Sequence, residues 1–231
     1  MAVKIAGNTG TVAEVGGTGF RALKGQNSPI DHGANGHYRI HVVTGTLAAA
    51  LAASAVVFSF RWTHGTKLAV VTKLKTRFLP LTPFTAATLT DHTSFDAFIG
   101  RSFSASHTGG SGGAPTSIFP SKMRNSMSTS NVGDLRWSTT AALGGGTVTL
   151  DTQPVACSVR KGNRVNPTAA TEEVIMPQYD GMEADIDIGS GDHPIVLVTN
   201  EGIVVRNRTV WPAAGTGILS VMMAWAEVDS Y

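Results

Sequence analysis

Short runs dense in β-branched and aromatic residues recur along this chain, and several of them alternate apolar with polar positions. Residues 38–43, 55–62 and 67–74 have this character and are bounded by Gly or Thr turns, which predicts strands. The same grammar returns at residues 134–139, 147–150, 155–159, 195–199, 202–206 and 218–228, separated by Gly, Pro, Asn and Asp. Asn200, Glu201 and Gly202 between two of these runs predict a hairpin turn. One stretch breaks the pattern. Thr90 or Asp91 can cap a helix, and Phe95, Phe98, Ile99 and Phe103 fall near i, i+3, i+4 and i+8, so a short helix is predicted over residues 90–103. Thr46–Ala53 reads either as a helical turn or as a wide loop, because Ala and Leu favour helix while the flanks favour strand. Ser106–Pro115, rich in Gly and Ser, reads as a flexible hairpin tip.

Residues 1–36 have Gly, Asn and Thr clusters and no sustained period, so they read as an extended N-terminal arm with short strands. Residues 37–231 then form the body. Many strands and almost no helix exclude a parallel α/β sheet, which needs crossover helices. The expected fold is therefore mainly all-β: an antiparallel β-sandwich of jelly-roll type, with one short helix and the arm.

Composition changes this picture in one respect. Hydrophobic residues make up 42% of the chain and charged residues only 15%, against about 25% charged in an ordinary soluble domain. A surface so poor in charge is either neutral and polar or covered by other chains, as in permanent assemblies. The net charge of +2 also hides an asymmetry. Residues 1–90 carry nine Lys/Arg against Glu14 and Asp31, a balance of +7, and the remainder carries −5. These basic residues are spread through strand-like runs and not clustered with aromatics, so nucleic-acid binding is not expected, and oppositely charged faces meeting in an assembly account for the asymmetry.

The residues with chemical potential read as structural. A single cysteine, Cys157, excludes an internal disulfide and a cysteine-based zinc site. His37 and His41 have the spacing of a zinc helix, but on a strand they lie about 13 Å apart, too far to share an ion. Glu183, Asp185 and Asp187 alternate with Met182, Ala184, Ile186 and Ile188, giving one anionic strand face that could help hold Ca²⁺ or could simply be solvated. No phosphate loop and no nucleophile elbow is present, and Ser, His and Asp residues show no spacing that makes a triad. Asn207–Thr209 matches the glycosylation acceptor pattern by chance. The expectation is a non-enzymatic chain with no catalytic residue, cofactor or metal. The apolar run from Thr46 to Phe60 is too short to span a bilayer, and the N-terminus has no apolar run of signal-peptide length, so cytosolic synthesis and no membrane are expected.

The most specific pattern lies at residues 200–228, where two strands flank the Trp-Pro-Ala-Ala-Gly-Thr-Gly of residues 211–217. This stretch resembles the closing hairpin segment of a group of tailed-bacteriophage virion proteins. Phe20–Leu23, His37–Ile40, Thr44–Ala53, Phe58–Thr63, Arg101–Gly110 and Met127–Ala141 are similar to segments of the same proteins in the same order. The resemblance implies a virion structural protein assembled in the host cytoplasm, and it brings no catalytic residues. A capsid decoration or cement protein is the leading expectation. A tail, collar or fibre subunit with an adaptor or receptor-binding role, using loops such as Ser106–Pro115, is the alternative. Expected partners are other virion proteins, a major capsid protein or tail components, and further copies of the chain, with a trimer among the options. Trp211 and Pro212, with Phe20, Arg21 and Tyr231, are the candidate interface residues, since buried aromatics dominate interface energetics.

Overall fold

A computed structural model describes residues 36–82, 92–114, 120–161 and 194–229, together with the short strands at 4–6, 12–14 and 183–185. The chain divides into two compact units, Met1–Asp31 and His32–Tyr231. In the first, β1 (Lys4–Ala6) and β2 (Val12–Glu14) pair antiparallel, Lys4 opposite Glu14. The rest of the expected arm lies outside the described residues.

The second unit contains β3 (His37–Val43), β4 (Val56–Trp62), β5 (Leu68–Thr82), β6 (His92–Ala105), β7 (Ser111–Gly113), β8 (Ser121–Lys122), β9 (Val132–Trp137), β10 (Thr147–Leu150), β11 (Ala156–Lys161), β12 (Glu183–Asp185), β13 (Ile195–Leu197), β14 (Gly202–Asn207) and β15 (Thr216–Val228). They form two antiparallel sheets. The seven-stranded sheet runs β10-β6-β14-β4-β9-β7, with β11 also on β6; the six-stranded sheet runs β12-β5-β15-β3-β8, with β13 also on β5.

Alternation explains how the two sheets find each other. On β15, Leu219, Val221, Met223 and Trp225 are buried while Ser220, Met222 and Ala224 between them are half-buried. Tyr38, Ile40 and Val42 of β3 point the same way, and from the opposing sheet Phe58, Phe60, Ile203 and Val205 join one continuous core. Phe60 meets Trp225 edge to face at 5.1 Å between ring centroids, and Phe78 of one sheet packs on Phe95 of the other at 5.4 Å. The described residues of this unit thus form an all-β sandwich, as the strand pattern predicts.

The expected helix over residues 90–103 is instead strand β6, and no helix occurs among the described residues. β6 lies between β14 on one side and β10 and β11 on the other, and every residue from Ser94 to Gly100 is buried. Phe95, Ala97 and Ile99 face the core, while Phe98 faces outward beneath the Arg206 guanidinium, 4.1 Å from its ring centroid. A strand buried on both faces carries apolar residues without strict alternation, and Phe95, Phe98, Ile99 and Phe103 then match helical spacing without forming a helix.

Two further expectations are corrected at the ends of the sandwich. The turn at Asn200–Gly202 does not close a hairpin. β13 pairs with β5, whereas β14 lies between β4 and β6, so the chain changes sheets there. Asn200 adopts a left-handed conformation (φ 66°), which Asn tolerates. Likewise β14 and β15, the strands flanking residues 211–217, belong to different sheets. Thr46–Ala53 is a wide loop with tight turns at residues 49–50 and 53–54, and it closes that end of the core by burying Leu47 and Leu51. It is tied to the β14–β15 connection by Ala50 N–H to the Pro212 carbonyl and Trp211 N–H to the Leu51 carbonyl, both 2.9 Å.

Candidate functional site

Trp211 is not a surface residue. It is 1% exposed, packs edge to face on Phe78 and Phe95, and donates its indole N–H to Asn207 Oδ1 at 3.0 Å. A turn before a proline looks external in sequence, but this turn folds back over the open end of the sandwich. Asn207 is fully buried: its Nδ2 donates to the carbonyl of Ala52 at 3.0 Å and to that of Thr209, leaving no amide free for a glycan. Pro212 is half-buried. Phe20, Arg21 and Tyr231 lie outside the described residues.

The outer face of the seven-stranded sheet is closed by the chain itself. Ser59, Val204 and Phe98 occupy the outward positions of β4, β14 and β6, and all are buried. Phe103 lies over the strands, where a Cβ at Gly100 would come within 2.6 Å of its ring, while a Cβ at Gly202 would run into the backbone carbonyl of Phe60 as well as approach the ring at 2.9 Å. This is why both positions need glycine. Of the expected flexible tip, residues 106–110 fold onto this face and Ser111–Gly113 continue as β7, the edge strand of the same sheet. His107 Nδ1 pairs with Ser59 Oγ at 2.9 Å, Thr108 and Gly144 exchange backbone hydrogen bonds of 2.6 and 3.1 Å, and β7 pairs with β9. Charged groups seal the margin: Arg61 donates to Ser106 Oγ at 2.9 Å and to Asn200 Oδ1 at 2.7 Å, and Arg208 holds the buried Asp96 through Nε, 3.0 and 2.9 Å from its two carboxylate oxygens, and through Nη2 on Oδ1. The carboxylate of Asp96 holds the Arg208 guanidinium above its usual range. Burial pushes the His107 imidazole down, against a smaller opposing pull from Asp134. Ser59 and His107 have the contact distance of a nucleophile and its base, but at 2% and 5% exposure no substrate reaches them while this cover is in place.

The outer face of the six-stranded sheet is different. Arg39 and His41 of β3 and Arg77 of β5 are exposed, and Lys73 and Lys75 are half-exposed. The strand registers line these residues up in rows. Arg39, Ala224 and Lys73 form one row, His41, Met222 and Lys75 the next, and Val43, Ser220 and Arg77 the third. Two ranks of basic residues therefore flank β15, about 10 Å apart, with about 6.7 Å between successive members of a rank. Between them lies an open groove of about 670 Å³ lined by Arg39, His41, Lys75, Arg77, Ser220 and Met222. His41 Nε2 is held by Ser220 Oγ at 2.7 Å, and His37, the other member of the spaced pair, meets Thr72 Oγ1 at 3.2 Å. The two histidines are thus bound to separate hydroxyls.

The acidic run contributes to the same sheet. β12 places Glu183 opposite Lys75 and Asp185 opposite Lys73 in the strand register. Asp187 lies outside the described residues. Arg39 and Arg77 are exposed on the groove. Composition alone could not locate this face. The signal was present in the period of two at Lys73, Lys75, Arg77 and at Arg39, His41, which puts each set on one side of a strand.

No protein-family model matches this chain, and a search of curated proteins finds no match.

Proposed function

We propose that the chain is a structural subunit of a tailed-bacteriophage particle, a capsid decoration or cement protein that acts by adhesion and not by catalysis. The observation that carries this reading is the asymmetry of the sandwich. One outer face is closed by the chain's own loops, and the other presents two ranks of basic residues around an open groove. A rigid β body with one prepared face is what a subunit needs to bind a larger surface repeatedly. The low charge content and the ordered similarity to virion-protein segments support the same reading. Contacts of about 1,000–2,000 Å² each, repeated by symmetry over a head made of major capsid protein and further copies of this chain, would stabilise the particle without chemistry. The Ser59–His107 pair then serves to hold the cover loop.

Locating the subunit in a reconstructed particle tests the proposal. Copies distributed over the head by its symmetry are expected. Copies confined to one vertex or to the tail would overturn the decoration role in favour of a tail, collar or fibre subunit.

A further inference from the structure

We propose that the groove on the six-stranded sheet is a docking site for an acidic segment of a partner protein, one that runs extended and carries carboxylates at alternate positions. The identification of that partner as a particle protein rests on the reading above; the chemistry of the groove does not.

Four observations converge on this occupant. The basic residues are periodic: Lys73, Lys75 and Arg77 recur every second residue along β5, as do Arg39 and His41 along β3. An extended polypeptide repeats its side chains with the same spacing of about 6.7 Å, so carboxylates at i and i+2 match the ranks. The groove floor is neutral and short, with Ser220, Met222 and Ala224 half-buried on β15, which gives a peptide backbone close approach between the ranks. The sequence also contains an instance of that spacing, since Glu183 and Asp185, two residues apart on β12, take register positions opposite Lys75 and Lys73.

The fourth observation separates a protein from a nucleic acid. The aromatic side chains of these strands, Tyr38, Phe78 and Trp225, all turn into the core. Among the described residues the groove therefore presents no Phe, Tyr or Trp ring on which a base could stack, and its one ring, the His41 imidazole, is held by Ser220 Oγ; broad stacking platforms are how single-stranded nucleic acid is held. Arg39 and Arg77 supply guanidiniums suited to paired contacts with carboxylates.

The test uses the full chain and four fluorescent probes: a peptide alternating Glu and Ala, its Gln and Ala counterpart, an oligothymidylate and a short DNA duplex. Anisotropy at low salt should show binding of the Glu peptide alone, weakening as salt rises. The double variant Arg39→Ser with Arg77→Ser should lose about tenfold in affinity, the sum of two exposed ion pairs, and Arg77→Glu should lose binding further. Both positions are exposed, so an unchanged melting temperature will show that the fold is kept. Binding that persists in the double variant places the peptide elsewhere and overturns the proposal. Tighter binding of oligothymidylate or duplex overturns it in favour of nucleic acid, and a wild-type dimer that the double variant abolishes overturns it in favour of self-association. Peptide binding by a subunit found on the tail would keep the groove and sink only the decoration role. A head location without peptide binding would do the reverse.

Discussion

The two outer faces of this sandwich are built from similar strands and finished in opposite ways. Over the seven-stranded sheet the chain lays two loops, residues 106–110 and 138–146, and buries Phe98, Phe103, His107, Leu143 and Val204 outside the main core. Over the six-stranded sheet the corresponding positions hold Arg39, His41, Lys73, Lys75 and Arg77, and the groove between them stays open. The first face contributes to stability and is unavailable to partners. The second contributes little to stability and is available. A sandwich needs only its inner faces to fold, so an outer face left open and charged is free to serve contact.

The largest expected break in this contrast is Phe103→Ala. It removes the ring that covers Gly100 and Gly202 and should cost about 3–4 kcal/mol in denaturant unfolding. A cost near that of a surface substitution would mean that the cover is not packed. Arg208→Ala comes next. Asp96 would be left buried without its guanidinium, and because Arg208 itself is partly exposed the loss should be about 2 kcal/mol. Asp96→Asn with Arg208→Ala should recover part of it, since the orphaned charge is then gone.

The pH response of the covered face is smaller. His107 is pushed below its ordinary pKa of 6.5 by burial, so the unfolded chain binds this proton more readily than the folded one. The stabilising contribution is complete above about pH 6.5 and is lost as pH falls from there through the depressed folded value. Unfolding measured from pH 7.5 to pH 5 should show this decline, and His107→Gln should flatten it. An unchanged slope in that variant would exclude His107 as the source. The smallest effect is expected on the open face, where Arg39→Ser and Arg77→Ser should each change stability by no more than about 0.5 kcal/mol.

How much of this was legible in the sequence differs between the parts of the fold. The alternating strands β3 and β15 could be read from sequence, because one face of each is buried and the other is not. β6 could not, since burial on both faces erases alternation and leaves the spacing of Phe95, Phe98 and Ile99 open to a helical reading. Connections were the hardest part. Asn200–Gly202 has the residues of a hairpin turn, but which sheet each flanking strand joins is decided by long-range packing that no local turn preference encodes. The burial of Trp211 was illegible for the same reason, since it depends on Leu51 and Phe78 arriving from distant segments. The basic face was half legible: the period of two placed the cations on single strand faces, but only the register brings Arg39 and Lys73 into one row across β15.

The contrast between the faces is tested most directly in the assembled particle, by a reconstruction that resolves which side of the sandwich meets its neighbour. The account predicts that Arg39, His41 and Arg77 are buried against an acidic surface while residues 106–110 and 138–146 face away from that contact. A particle in which those loops form the contact and the basic groove faces solvent would contradict it.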